Sequence, residues 1–202
     1  MLSTTDAIVL SLQPHTDKAH ILHAYTRAGG RVNYMVYGLG RRNAIGIYSP
    51  LSIVQITASC PPNGLPIVKE ANLTSLTSHL SPLTSNPYKQ AIALFISEVL
   101  FHTLRHPMAD EQMFAFLENT IHALAETDDA QLVANHHLFF LIGYAAQLGF
   151  AIDEQLNPEL LVVPATRAER QQQLRHLCDY LALHVENWQQ PRSLDILTEI
   201  FD

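Results

Sequence analysis

The spacing of apolar residues changes once along the chain, near residue 80, and that change limits the folds open to it. Before it, apolar residues recur at every second position; after it, they recur every three to four. A chain patterned in this way predicts an all-β N-terminal part followed by an all-α C-terminal part. We place the two at residues 1–78 and 79–202, an α+β class of protein.

In the first part, "AIVLSL", "HILHAYT", "RVNYMVYG", "SPLSIVQITAS" and "LPIVKEANL" read as five short strands. In the third, Val32, Tyr34 and Val36 share one face, and Arg31, Asn33, Met35 and Tyr37 share the other. "RAGG" is a tight connection between the second and third strands, and "PPNG" is a turn because proline fixes φ and Asn-Gly tolerates positive φ. Five strands in about seventy residues fit a small barrel of the OB type. An SH3-like barrel fits the strand count as well.

From residue 86 the helical period takes over. Asn86 is an N-cap with Pro87 at the first helical position of "NPYKQAIALFISEVLFHTLRH", where Ile92, Phe95, Ile96, Val99 and Leu100 share a face. "DEQMFAFLENTIHALA" repeats the pattern through Met113, Leu117, Ile121 and Leu124. "AQLVANHHLFFLIGYAAQLG" is apolar almost all round, which predicts a central helix closed by Gly149. Thr166 and Glu169 form a capping box for the next helix, and "RSLDILTEIF" makes a last short one. "TSHLSPLTSNP" reads as the linker.

Charge divides along the same line. The formal net charge is -7, yet residues 1–50 carry +3, from Lys18, Arg27, Arg31, Arg41 and Arg42 against Asp6 and Asp17; residues 51–202 carry -10. That asymmetry suggests a nucleic-acid-facing end on a module of another kind. No basic leader opens the sequence, and no apolar run reaches the length of a membrane span. Cys60 and Cys178 stand far apart, which predicts neither a disulfide framework nor a cysteine zinc site and suits a reducing cytoplasm.

Catalysis finds little support. Glu98, His102 and His106 fall at i, i+4 and i+8 of a predicted helix, a spacing able to hold a divalent metal, but no HExxH pattern accompanies them and a half-exposed helix face is the preferred explanation. His136 and His137 lie in the most apolar helix, where core hydrogen bonding accounts for them. Cys178, beside Asp179 and near His176, needs no role beyond that of a small apolar residue. No GxSxG, P-loop or GxGxxG motif is present, so we expect no enzyme, no cofactor and no metal. Binding fits better. Basic side chains along a phosphate track, with aromatic faces for stacking, make a single-strand surface. Lys18, Arg27, Arg31, Tyr37, Arg41 and Arg42 are the candidate nucleic-acid-binding residues. Tyr25, Tyr34 and Tyr48 are interleaved with them, and Tyr25 and Tyr34 serve equally as barrel filling.

"AIVLSL", "AYTRAGGR" and "VYGLGRR", in that order, resemble the opening of the bacterial recombination mediators of the RecO family. "LFISEVLFHTLR", "FAFLENTIHAL", "HLFFLIGYAAQLGF" and the ending "LCDYLALHVENWQQPRSLDILTEIF" are similar to its helical half, above all in members from Bacteroidetes. The resemblance implies an OB-fold domain that binds single- and double-stranded DNA, and a role in DNA repair by annealing strands and helping to load RecA. It implies RecR and the acidic C-terminal tail of single-stranded-DNA-binding protein as partners. DNA contact carries over to Arg27, Arg31, Arg41 and Arg42. Where many members place a four-cysteine zinc module, this chain has "AIDEQLNPELLVVPATRAE", so no zinc is expected; Tyr37 stands where a basic residue is common. For the acidic tail, Arg105, Arg167, Arg170 and Arg175 are the candidate cations. The alternative is an adaptor that binds proteins alone, its barrel not touching DNA.

Overall fold

The computed structural model describes residues 2–39, 46–74, 85–186 and 188–200. Most of the expected linker, and both Arg41 and Arg42, lie outside the described residues. The chain divides into two compact units. One combines Met1–Ser81 with Leu104–Glu118; the other combines Pro82–Thr103 with Asn119–Asp202.

The first unit is built on β1 (Leu2–Thr16), β2 (Ala19–Thr26), β3 (Gly30–Tyr37), β4 (Ile53–Ser59) and β5 (Ile67–Leu73). They close a barrel in the order β1-β2-β3-β5-β4, the OB arrangement rather than the SH3-like one. β1 is 15 residues long, more than its apolar run "AIVLSL" suggests. Its first half pairs with β4 and its second with β2, and register shifts at Val9/Ser11 and Pro14/Thr16 bend it between the two. Closure comes from a parallel contact of β3 with β5 at Met35–Ile67. Alternate residues turn inward as the period predicts: Leu22 and Ala24, Tyr34 and Val36, and Val54, Ile56 and Ala58 pack with Ala7, Val9 and Tyr48. Tyr34 therefore fills the barrel, and burial pushes its phenol up to about 12.

Five α-helices follow: α1 (Pro87–Thr103), α2 (Glu111–Glu126), α3 (Ala130–Gln147), α4 (Arg167–His184) and α5 (Ser193–Ile200), with a 3-10 turn at Pro158–Leu161. Their ends are set locally. Asn86 Oδ1 accepts from the Tyr88 and Lys89 amides, Asp110 from Met113, and Asp129 from Gln131 and Leu132. The Thr166–Glu169 capping box is formed. Gly149, at φ +85°, closes α3: its amide reaches Ala146 O at 3.0 Å and that of Phe150 reaches Ala145 O at 2.8 Å. α3 is the central helix of the second unit, with Leu138, Phe140, Leu141 and Tyr144 at most 2 % exposed.

One predicted element is shorter than its pattern. α1 ends at Thr103 instead of running to His106, because Pro107 disfavours helical backbone at the residue before it. Glu98, His102 and His106 therefore do not share a helix. Glu98 accepts from the Arg192 and Ser193 amides and from Ser193 Oγ, at 2.6–2.9 Å, and so fastens the start of α5. Among the described residues no group of three His, Cys, Asp or Glu side chains is placed to hold a metal ion. No described helix is long and apolar enough to cross a membrane.

Candidate nucleic-acid interface

Along the outer face of β3, Arg31 and Tyr37 stand six residues apart, about 20 Å of strand. The surroundings at these two ends differ.

At the Arg31 end the barrel is covered. Leu104–Asp110 returns to it, and the Arg31 amide donates to His106 O at 3.2 Å. Gly30, at φ +62°, is required there: a Cβ at this position would lie 2.2 Å from Met108 O. The Arg31 guanidinium donates to Leu104 O and Asn33 Oδ1, both at 3.4 Å. Burial, with the neighbouring Arg105 charge, pulls its pKa down to about 10, so it remains a cation at neutral pH but a half-buried one. Asn33 Oδ1 also bonds His23 Nδ1 at 2.7 Å.

Arg27 is engaged more fully. Its guanidinium lies 4.2 Å from the centre of the Phe114 ring. It donates to Glu111 and, at 3.0 Å, to Glu118, with Asp6 at 3.9 Å. Burial opposes the charge, but Glu118 and Glu111 hold its pKa above the usual arginine value. Phe114 also covers Tyr25, ring centres 6.3 Å apart, and burial raises the Tyr25 phenol to about 12. Arg27, expected on a phosphate track, thus has its charge surrounded by three carboxylates and an aromatic ring. Tyr25 and Tyr34 are likewise removed from the stacking surface.

At the other end no contact of that kind is made among the described residues: Tyr37, where β3 stops, is 56 % exposed, and Gly38 follows at φ +74°. Lys18 sits in the tight turn between β1 and β2, and no ion pair among the described residues includes it. Between them is a groove of about 790 Å³ lined by Leu12, Pro14, Asp17, Lys18, His20, Tyr37 and Leu39. Of the candidates expected from the sequence, the structure brings Lys18 and Tyr37 together on this groove and places Arg27 and Arg31 at the covered end.

The second unit holds a cation that the sequence reading missed. Lys89 is 1 % exposed. Its Nζ donates to Ala125 O at 2.9 Å and lies 3.8 Å from Asp128 Oδ1. It lines a pocket of about 430 Å³ with Tyr88, Val133 and Ala134. A signal was present in the sequence: Lys89 is third in α1, where the helix dipole favours an acid. Of the four arginines considered for this role, Arg167 donates to Thr198 O at 2.7 Å, and Arg105 belongs to the first unit. His136 and His137 are buried and their pKa values fall to about 4 and about 3, chiefly through desolvation, so both are neutral core residues. Burial raises Cys178 to about 12, which leaves it an unreactive thiol.

The chain matches the family model "Recombination protein O N terminal" over residues 1–77 and "Recombination protein O C terminal" over residues 84–155. It is similar to the DNA repair protein RecO of Porphyromonas gingivalis, at 29 % identity with all of both chains covered. It is also similar to that of Phocaeicola vulgatus, at 28 % with all of both covered, and to that of Flavobacterium johnsoniae, at 29 % with 98 % of each covered.

Proposed function

The chain belongs to the RecO family of DNA repair proteins, and on that premise we propose that it is a recombination mediator without catalytic chemistry of its own. It binds single- and double-stranded DNA, promotes annealing of complementary strands, and with RecR helps to load RecA on DNA covered by single-stranded-DNA-binding protein. The observation that carries this reading is the Tyr37 end of the barrel, where Lys18, in no ion pair among the described residues, and an exposed Tyr37 border one groove. Arg41 and Arg42 follow Leu39 in sequence and are the remaining candidates for phosphate contact. A salt titration of single-strand binding tests it: log affinity should fall against log salt with a slope of about 0.7 per phosphate engaged. A flat salt dependence would remove the electrostatic basis of the proposal.

The pocket beside Lys89 supports the partner side of this function. Its apolar walls beside a buried ammonium make it the candidate seat for an acidic peptide ending in apolar residues, the chemistry of the tail of single-stranded-DNA-binding protein, although Asp128, 3.8 Å from that ammonium, also lines it and opposes an acidic residue there. Fluorescence anisotropy of such a labelled peptide should rise with the wild-type protein and not with Lys89→Met.

The adaptor reading has its own supporting observation, since Arg27 and Arg31 serve internal contacts rather than a free basic track. An electrophoretic shift of bare single-stranded DNA at low salt separates the two, because a protein-only adaptor gives none.

A further inference from the structure

From the lining of the groove at the Tyr37 end of the barrel we infer that it is a receptor for one unstacked nucleobase, with Tyr37 as the stacking face and Lys18 on the adjoining phosphate. The inference rests on the DNA-binding reading above and adds to it what part of the strand is held, and in which state.

A strand that only neutralises phosphates needs cations on a polar surface. Among the described residues this groove has one, Lys18. Its walls are Leu12, Pro14 and Leu39, and Leu12 and Leu39 already pack against the barrel core. An apolar groove with one exposed aromatic ring at its lip suits a flat ring system, and barrel mouths are a common place for such ligands. Lys18 lines the same groove and contributes a positive charge for the phosphate attached to that nucleoside. His20 lines the groove as well, and its Nδ1 is buried with no hydrogen-bond partner among the described residues. Buried polar atoms of that kind are usually hydrogen-bonded, and a base edge carries donors and acceptors. Asp17, next to Lys18 in the turn between β1 and β2, also lines the groove and opposes phosphate there.

Preference for single strands follows. In a duplex the base is stacked and paired, and swinging it out costs a few kcal/mol; in a gap or a frayed end that cost is small. Stacking on tyrosine is indifferent to which base is present, so recognition is of the unpaired state and not of sequence.

The test compares a fluorescein-labelled oligothymidylate with an abasic oligonucleotide of equal length and charge, using the full chain at one fixed salt concentration. The wild-type protein is expected to prefer the strand that carries bases. Tyr37→Ala should weaken oligothymidylate binding roughly 5- to 150-fold, the range of one lost base–aromatic stack, and leave abasic binding as it was. Tyr37→Phe should keep the preference. Lys18→Ala should weaken both strands alike. Thermal melts identical to wild type are expected for these exposed positions, and Tyr37→Trp, which should retain or enlarge the preference, gives a second reading that does not depend on the alanine variant. Equal wild-type affinity for the two strands overturns the base receptor but leaves DNA binding standing; so does an alanine variant that loses both strands equally. Failure to bind either strand at low salt overturns the DNA-binding reading itself.

Discussion

The two ends of one strand face, Arg31 and Tyr37, belong to the same barrel and meet opposite environments. At the Arg31 end, the cations are held by Glu111, Glu118, Asp6 and backbone carbonyls, and the aromatic Tyr25 is covered by Phe114. At the Tyr37 end, one lysine and one exposed ring stand beside a groove, the lysine in no ion pair among the described residues. Positive charge counted from a sequence thus divides into charge that holds a fold and charge left for a ligand. What separates them is whether a carboxylate from elsewhere in the chain arrives at the same place.

The sharpest way to break the covered end is Gly30→Ala. It forces a side chain onto a left-handed residue and against the Met108 backbone. The expected loss is about 4 kcal/mol of stability in urea unfolding, from strain and overpacking together. Gly38→Ala, at a similar φ but with nothing within 4 Å of the added Cβ, should cost only the strain, about 1–2 kcal/mol. If the two cost the same, the covered end is not closed as described.

Acid probes the second unit instead and serves as a reference for both ends. His136 and His137 have folded pKa values of about 4 and about 3, below the ordinary 6.5. Between those values the unfolded chain binds more protons, so stability is full above pH 6.5 and falls as the pH drops toward 4. The loss is on the order of 3 kcal/mol for His136 by pH 4. Trp188, the single tryptophan, belongs to this unit and reports its unfolding by fluorescence. His136→Gln should flatten the dependence.

How much of this was legible follows from distance along the chain. The alternation of Val32, Tyr34 and Val36, the Asn86 cap, the Thr166–Glu169 box and the Gly149 terminus are relations within a few residues, and they stand as the sequence implies. The pairing of Arg27 with Glu111 and Glu118 spans 84 and 91 residues. No local pattern announces it. Pro107 did signal the end of α1, but only the fold reveals that the segment around it returns to Gly30 and Arg31. Lys89 was visible as a cation in the wrong turn of a helix, whereas its burial depends on α2 and the residues after it.

Arg27→Ala tests what the covered cation does. Its side chain is 32 % exposed, so screening reduces the ion pairs, while the contact with Phe114 remains. About 2 kcal/mol of stability should be lost, measured by urea unfolding. In a double-mutant cycle with Glu118→Gln the two changes should be less than additive. Affinity for single-stranded DNA should not change at all; a several-fold loss would return Arg27 to the DNA surface.

Lys18→Gln is the mirror of that experiment and has the smallest effect expected. The residue is exposed and joins no described ion pair, so unfolding free energy should stay within about 0.5 kcal/mol of wild type. Binding should respond instead. Removing one phosphate contact reduces the slope of log affinity against log salt by about 0.7, which at 0.1 M salt is roughly a fivefold loss. Arg27→Gln measured beside it should leave the slope as it was. The opposite assignment of slope and stability to these two residues would exchange the roles given to the two ends of the barrel. An unchanged slope in both variants would move phosphate recognition off these residues and onto Arg41 and Arg42.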